Sequence, residues 1–161
     1  MRYLCATRPM VADHFYPKTN FKQRALINQY LDGHHLNLRL ACGSYIYRKY
    51  VIPYLGKQLP KELLTECHYA WKRILKVMNW ILYKSPYLCS DSKPTLADIS
   101  AFCELRQYFI ITKCSLEMKY PNVFDWMIRM LEFPELKEQD KYIEELALMF
   151  DNIKFEEEAK L

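Results

Sequence analysis

A chain of 161 residues that is 51% hydrophobic has apolar material for one well-buried core and too little length for two typical domains. Its formal charge is only +4, and the basic residues Arg39, Arg48, Lys49, Lys72, Arg73 and Lys76 are interspersed with apolar ones while Glu156, Glu157 and Glu158 make the tail acidic. That distribution argues against a dedicated nucleic-acid surface, which would cluster its positive charge. No apolar run reaches membrane-spanning length, and the N-terminal MRYLCATRPM lacks the apolar core of a signal peptide, so a soluble chain is expected. The six cysteines, at positions 5, 42, 67, 89, 103 and 114, are irregularly spaced without a CxxC pair. Neither a zinc site nor a disulfide framework is implied, and reduced thiols in an intracellular compartment are the expected state.

Residues 1–19 read as a short helical piece followed by a loop, with Pro9 and Pro17 as breakers. From about Asn20 a helical pattern of apolar residues (Phe21, Ala25, Ile27, Tyr30, Leu31, His34, Leu38, Ala41, Tyr45) predicts one long helix reaching roughly Tyr50 and ending near Pro53. Gly33 and Gly43 interrupt it, each costing about 1 kcal/mol relative to alanine, and Gly43 is a candidate bend. Pro60 is placed to open the next helix, along which Leu63, Leu64, Cys67, Trp71, Ile74, Leu75, Met78, Ile81 and Leu82 form the clearest amphipathic stripe of the chain.

After the loop SPYLCSDSKP comes KPTLADISAFCELRQ, residues 93–107. Here Thr95 can accept from a backbone amide, Asp98 can reach back to the amide of Thr95, and Pro94 and Ile99 stand where a hydrophobic staple would close the helix start. The helix behind this capping box, about 96–111, is apolar around most of its circumference and belongs at the centre of a bundle. Pro121 opens a further short helix and Pro134 another, running through Leu136, Tyr142, Leu146 and Phe150. With no segment reading as a strand, the fold class is all-α: a bundle of five to six helices around one buried central helix.

Residue types alone give weak chemical signals. His34 and His35 are adjacent and point about 100° apart on a helix, so they do not chelate one metal; one half-buried and one solvated histidine is the simple expectation. Cys67 beside His68 reads as a core thiol next to an exposed ring. Glu104 and Arg106 flank Leu105 in the apolar helix, where a charge must be paired or face a cleft. Arg39 and Tyr47, two turns apart with Asn37 nearby, share a face of the first long helix. No phosphate loop, carboxylate pair or metal-ligand set accompanies them.

Several stretches together resemble the C-terminal helical domain of the cytosolic glutathione S-transferases, most closely the theta class. They are KPTLADISAFCELRQ, DHFYP at 13–17, RALINQYLDGHHLNLR at 24–39, PYL at 86–88 and YPNVFDWMIRM at 120–130. The resemblance covers nearly the whole chain. It implies the fold read above for residues 20–161, with residues 1–19 as the end of a preceding thioredoxin-like domain plus the interdomain loop. It further implies that glutathione is a co-substrate bound by that preceding domain, which also supplies the group acting on the thiolate, and that no metal takes part.

Carried over by position, Asn37, Arg39 and Tyr47 would line the electrophile side of the cleft, with Glu104 and Arg106 near its floor. Gly33 stands where the family often has a large aromatic, and Arg106 where the theta pattern is usually apolar. Two functions follow. One is the hydrophobic-substrate wall of a theta-like transferase, inactive without the missing domain; the alternative is a non-catalytic docking or structural subunit of a larger assembly. A thioredoxin-like domain, or a protein partner covering the open cleft face, is the expected companion, and a homodimer is a further expectation. The expected location is cytoplasmic, with Ala159-Lys160-Leu161 similar to a peroxisomal address.

Overall fold

The computed structural model describes residues 1–114 and 118–151, and only the backbone of Asp151. All regular elements among them are helical, as the apolar periodicity predicts. In chain order they are α1 (Arg2–Thr7), a 3-10 turn (Asp13–Phe15), α2 (Phe21–His34), α3 (Leu38–Ala41), α4 (Gly43–Ile46), a π-helical turn (Tyr47–Val51), α5 (Ile52–Tyr54), α6 (Glu62–Lys84), α7 (Leu96–Thr112), α8 (Pro121–Met130), α9 (Pro134–Lys137) and α10 (Asp140–Asp151). The C-terminal Ala159-Lys160-Leu161 lies outside the described residues.

The single helix expected from Asn20 to about Tyr50 is divided into α2, α3, α4 and the π-helical turn. Its start is as read: the Asn20 side chain accepts from the amide of Gln23 at 3.1 Å, capping α2. The first break follows His34. Asn37 leaves helical geometry (φ −120°, ψ −90°), and its side-chain amide donates to the Gly33 carbonyl at 2.7 Å. A short polar side chain thus satisfies a carbonyl in the last turn of α2, competing with continuation of the helix. The second break is at Cys42 (φ −106°, ψ −72°), beside the glycine that marked a bend. Beyond Ile46 the backbone relaxes into one π-helical turn, a feature that widens a helix locally and is frequent at functional sites.

α7 is the centre. Ala97, Ala101, Phe102, Leu105 and Phe109 are all buried on it, packed against Trp71, Leu75 and Met78 of α6 and Val123, Trp126 and Met130 of α8, while Leu96 packs with Tyr16 and Ile27. Trp71 stacks on Tyr108 with ring centroids 4.1 Å apart and meets Phe109 edge-on at 5.7 Å. α10 closes one side through Ala147 and Phe150 against Ile46 and Ile111. Its first residue, Asp140, takes a two-point ion pair from Arg106, with Nε–Oδ1 at 2.9 Å and Nη2–Oδ2 at 2.6 Å. The anion sits at a helix N-terminus, where the backbone dipole also favours it.

The start of α7 is held by Asp98, a fully buried carboxylate. Thr95 and Asp98 form the reciprocal capping box. One Asp98 oxygen accepts from the Thr95 amide and hydroxyl, both at 2.8 Å, and the other from the Leu88 amide at 2.8 Å and the Trp126 indole at 3.1 Å. One side chain therefore joins the helix start, the preceding loop and α8.

Candidate functional site: a cleft between the broken helix and α7

A cleft of about 920 Å³ opens where the divided first helix meets α7. Its apolar wall comes from Ile46, Tyr47, Val51 and Ile52, with Leu59 from the approach to α6 and Leu63 from its first turn. The opposite wall is a stripe of α7: Ile99, Ser100, Cys103, Glu104 and Gln107. That spacing is one helical face, and it carries Ser100, Glu104 and Gln107 of a helix that is otherwise mostly apolar. Tyr47, 52% exposed, projects from the π-helical turn.

Arg39 and Glu104 meet in this cleft: Arg39 Nη2 lies 2.6 Å from Glu104 Oε1, with side-chain exposures of 53% and 8%. Behind the carboxylate stands His34, its Nε2 at 3.6 Å from Oε1, beyond hydrogen-bonding distance, and its Nδ1 at 3.4 Å from the Tyr30 hydroxyl. His34 is buried rather than half-buried, while His35 is exposed. Glu104 Oε2 and His34 Nε2 are both buried without a hydrogen-bond partner. Gly43 explains how the carboxylate fits: a Cβ there would sit 2.9 Å from Oε2, closer than packed atoms tolerate. The second cation of the cleft, Arg48, donates through Nη1 to the Leu63 carbonyl at 2.7 Å, Glu66 at 2.9 Å and Cys67 Sγ at 3.3 Å.

The other two sequence candidates lie outside the cleft lining. Asn37 spends its side chain on the Gly33 carbonyl and accepts from Arg73 at 3.0 Å. Arg106 faces away, toward Asp140 and a small apolar pocket with Phe109, Phe124 and Leu131. Ser100, Cys103 and Gln107 were missed by the sequence reading, although the polar stripe within an apolar helix was the available signal.

The thiols here are poor nucleophiles. Burial pushes the Cys103, Cys42 and Cys67 thiols up, with the Glu104 charge adding to the effect at Cys103 and Cys42. Among the described residues no group of three His, Cys, Asp or Glu side chains is placed to hold a metal ion. The arrangement can bind and orient a ligand; it offers no activated thiolate of its own.

Residues 36–134 match the family model for the C-terminal domain of glutathione S-transferase. The chain belongs to the glutathione S-transferase family. It is theta-like within that family: it is 31% identical over 130 residues to glutathione S-transferase T3 of Arabidopsis thaliana, covering 78% of this chain and 22% of that protein. To glutathione S-transferase T1 of the same plant it is 32% identical over 111 residues, covering 68% of this chain and 45% of that protein. The chain thus spans less than half the length of these curated relatives. A human theta-class glutathione transferase, solved with the glutathione conjugate of 1-menaphthyl sulfate, superposes with a TM-score of 0.78 at 26% identity over 92% of this chain and 61% of that one. This transferase-family domain is therefore the C-terminal helical one, and α7 is its buried central helix.

Proposed function

We propose that the chain forms the electrophile-binding wall of a theta-type glutathione transferase. A thioredoxin-like domain, on the same polypeptide or a separate one, would bind glutathione and activate its thiol. In that reaction the thiolate sulfur attacks an electrophilic carbon lying against the cleft, the C–S bond forms, and the leaving group departs with its bonding pair. The wall's contribution is placement, which converts a bimolecular encounter into an aligned one and is worth several kcal/mol of barrier in well-oriented systems. Tyr47 supplies a broad amphipathic surface, Ile46, Val51 and Ile52 exclude water, and Arg39 and Glu104 form the polar edge.

The observation that carries this reading is the cleft itself, open on the side where α1 and the broken helix leave Met1, Tyr47 and Leu59 exposed. On this reading residues 1–161 alone do not conjugate glutathione, because the group that activates its thiol belongs to the thioredoxin-like domain. A cytoplasmic setting is part of this proposal, by likeness to the theta-class relatives. The docking-module alternative draws on no observation of its own.

The test joins a theta-class thioredoxin-like domain to residue 1 and measures conjugation of an aromatic electrophile. The fusion is expected to turn over and residues 1–161 alone to show only the uncatalysed rate. In the fusion, Tyr47→Ala should raise KM for the electrophile roughly 3–10-fold, the loss of one aromatic contact, and leave KM for glutathione unchanged. Turnover by residues 1–161 alone, or an unchanged electrophile KM, refutes the assignment.

A further inference from the structure

The charged side chains lining the cleft are Arg39, Arg48 and Glu104, and each has an internal counter-charge. Arg48 is held by Glu66 and the Leu63 carbonyl, on the rim toward α6. Arg39 is held by Glu104, and this pair is unequal: the arginine is half-exposed while its carboxylate is buried. The carboxylate is fixed from two sides. His34 blocks retreat into the core at 3.6 Å, and the bare Cα of Gly43 lets Oε2 occupy the space a side chain would need. Oε2 has no hydrogen bond of its own, so the Glu104 carboxylate is committed to Arg39 through a single oxygen. A buried carboxylate carries a desolvation cost that its facing cation must offset, and removing either partner leaves the other uncompensated.

We propose that Glu104 is a specificity-determining residue of the cleft, acting through Arg39. It neutralises and immobilises the guanidinium, so that the wall favours uncharged electrophiles over anionic ones. Gly43 is the position that makes this possible. The inference rests on the cleft being an electrophile wall, and it adds which charge that wall accepts. Like-charge juxtaposition and an occupied counter-ion both act as negative selection, the usual route to discrimination between ligands of one shape. An anionic group approaching Arg39 meets the Glu104 carboxylate 2.6 Å behind it and must compete for the same nitrogen. With Glu104 neutral, Arg39 becomes a free, half-exposed cation beside apolar surface.

The experiment titrates the full 161-residue chain with two probes of one shape, 1-naphthalenemethanol and naphthalene-1-sulfonate, and follows backbone amide shifts by NMR. The wild type is expected to bind the alcohol at least as tightly as the sulfonate. Glu104→Gln should tighten the sulfonate about 5–10-fold, equivalent to about 1–1.4 kcal/mol, and change the alcohol less than about twofold. Gly43→Ala, which displaces the carboxylate without altering any charge, should shift the ratio in the same direction. In the background of Glu104→Gln, Arg39→Gln should abolish the gain. A role confined to holding the fold would move both probes together and leave their ratio fixed, and that result overturns the inference. So does a wild type that already prefers the sulfonate; in both cases the cleft stands as a binding wall. If neither probe binds near Tyr47 and Ser100 in any variant, the electrophile-wall reading itself fails and takes the inference with it.

Discussion

Removing the Asp98 carboxylate is the sharpest test of how this domain is held together. Asp98→Ala strands three buried N–H donors, from Leu88, Thr95 and the Trp126 indole, that now bond at 2.8, 2.8 and 3.1 Å. An orphaned buried donor costs about 1–3 kcal/mol, which would give roughly 3–9 kcal/mol if the three were independent. They are not independent, since they share one side chain, and the wild type also carries an opposing penalty: burial pushes the Asp98 carboxyl up despite all four hydrogen bonds. Removing the carboxylate relieves that penalty, so the expected net loss is about 3–5 kcal/mol, against a total of about 5–15 for an ordinary domain. Asp98→Asn keeps one carbonyl oxygen and is neutral, so burial no longer opposes it. It sets an NH2 group against either the Thr95 amide or the Leu88 and Trp126 donors, and about 1–3 kcal/mol should be lost. Urea unfolding followed by far-UV circular dichroism gives both values, with an unchanged dependence on urea showing that the same surface is exposed. The order wild type, Asn, Ala is required. An Ala variant within about 1 kcal/mol of wild type, or an Asn variant as unstable as Ala, would falsify the claim that this carboxylate joins α7, the 85–95 loop and α8.

Two further outcomes follow from other parts of the molecule. The Arg106–Asp140 pair is largely buried, with side-chain exposures of 25% and 15%, so a double-mutant cycle with Arg106→Gln and Asp140→Asn should return a coupling of about 1–3 kcal/mol; a value near zero would show that α10 is held by Ala147 and Phe150 alone. Burial first, and then the Asp98 charge, pushes the Cys89 thiol up to about 12 from an ordinary 9.0. A raised folded value means that the neutral thiol is the form the fold favours, so its contribution is complete below pH 9.0 and is lost as the pH climbs toward about 12. Melting temperatures measured between neutral and strongly alkaline pH should therefore fall less steeply for Cys89→Ala than for the wild type, and parallel slopes would contradict the assignment.

The parts of this fold legible in the sequence are those governed by neighbours along the chain. The stripe of α6, the proline that opens α8 and the Thr95–Asp98 start of α7 are set by near neighbours in sequence, and the structure has them where that reading puts them, whereas the helix expected from Pro134 through Phe150 is divided into α9 and α10. Of the two breaks in the first helix, the one at Cys42 falls beside Gly43, the candidate bend, while the one after His34 was not legible, because the apolar periodicity runs on past it. It is a competing hydrogen bond, Asn37 to the Gly33 carbonyl, that stops α2, and periodicity does not register such a competitor. The site divides in the same way. Arg39 and Tyr47, expected on one face, both line the cleft, although the chain between them breaks at Cys42.

Glu104 and Arg106, both expected near the cleft floor, do not share a face: two residues along α7 amount to a rotation of about 200°, and Arg106 turns to Asp140. A carboxylate among apolar neighbours announces that a cation must come to it, and helical spacing fixes the direction from which it comes. Which cation arrives is a question of topology. Arg39 meets Oε1, while Gly43, just past the break at Cys42 and without a side chain, lies over Oε2. Thus the glycine that read as a local weakness in a helix is the residue on which the charge of the cleft depends.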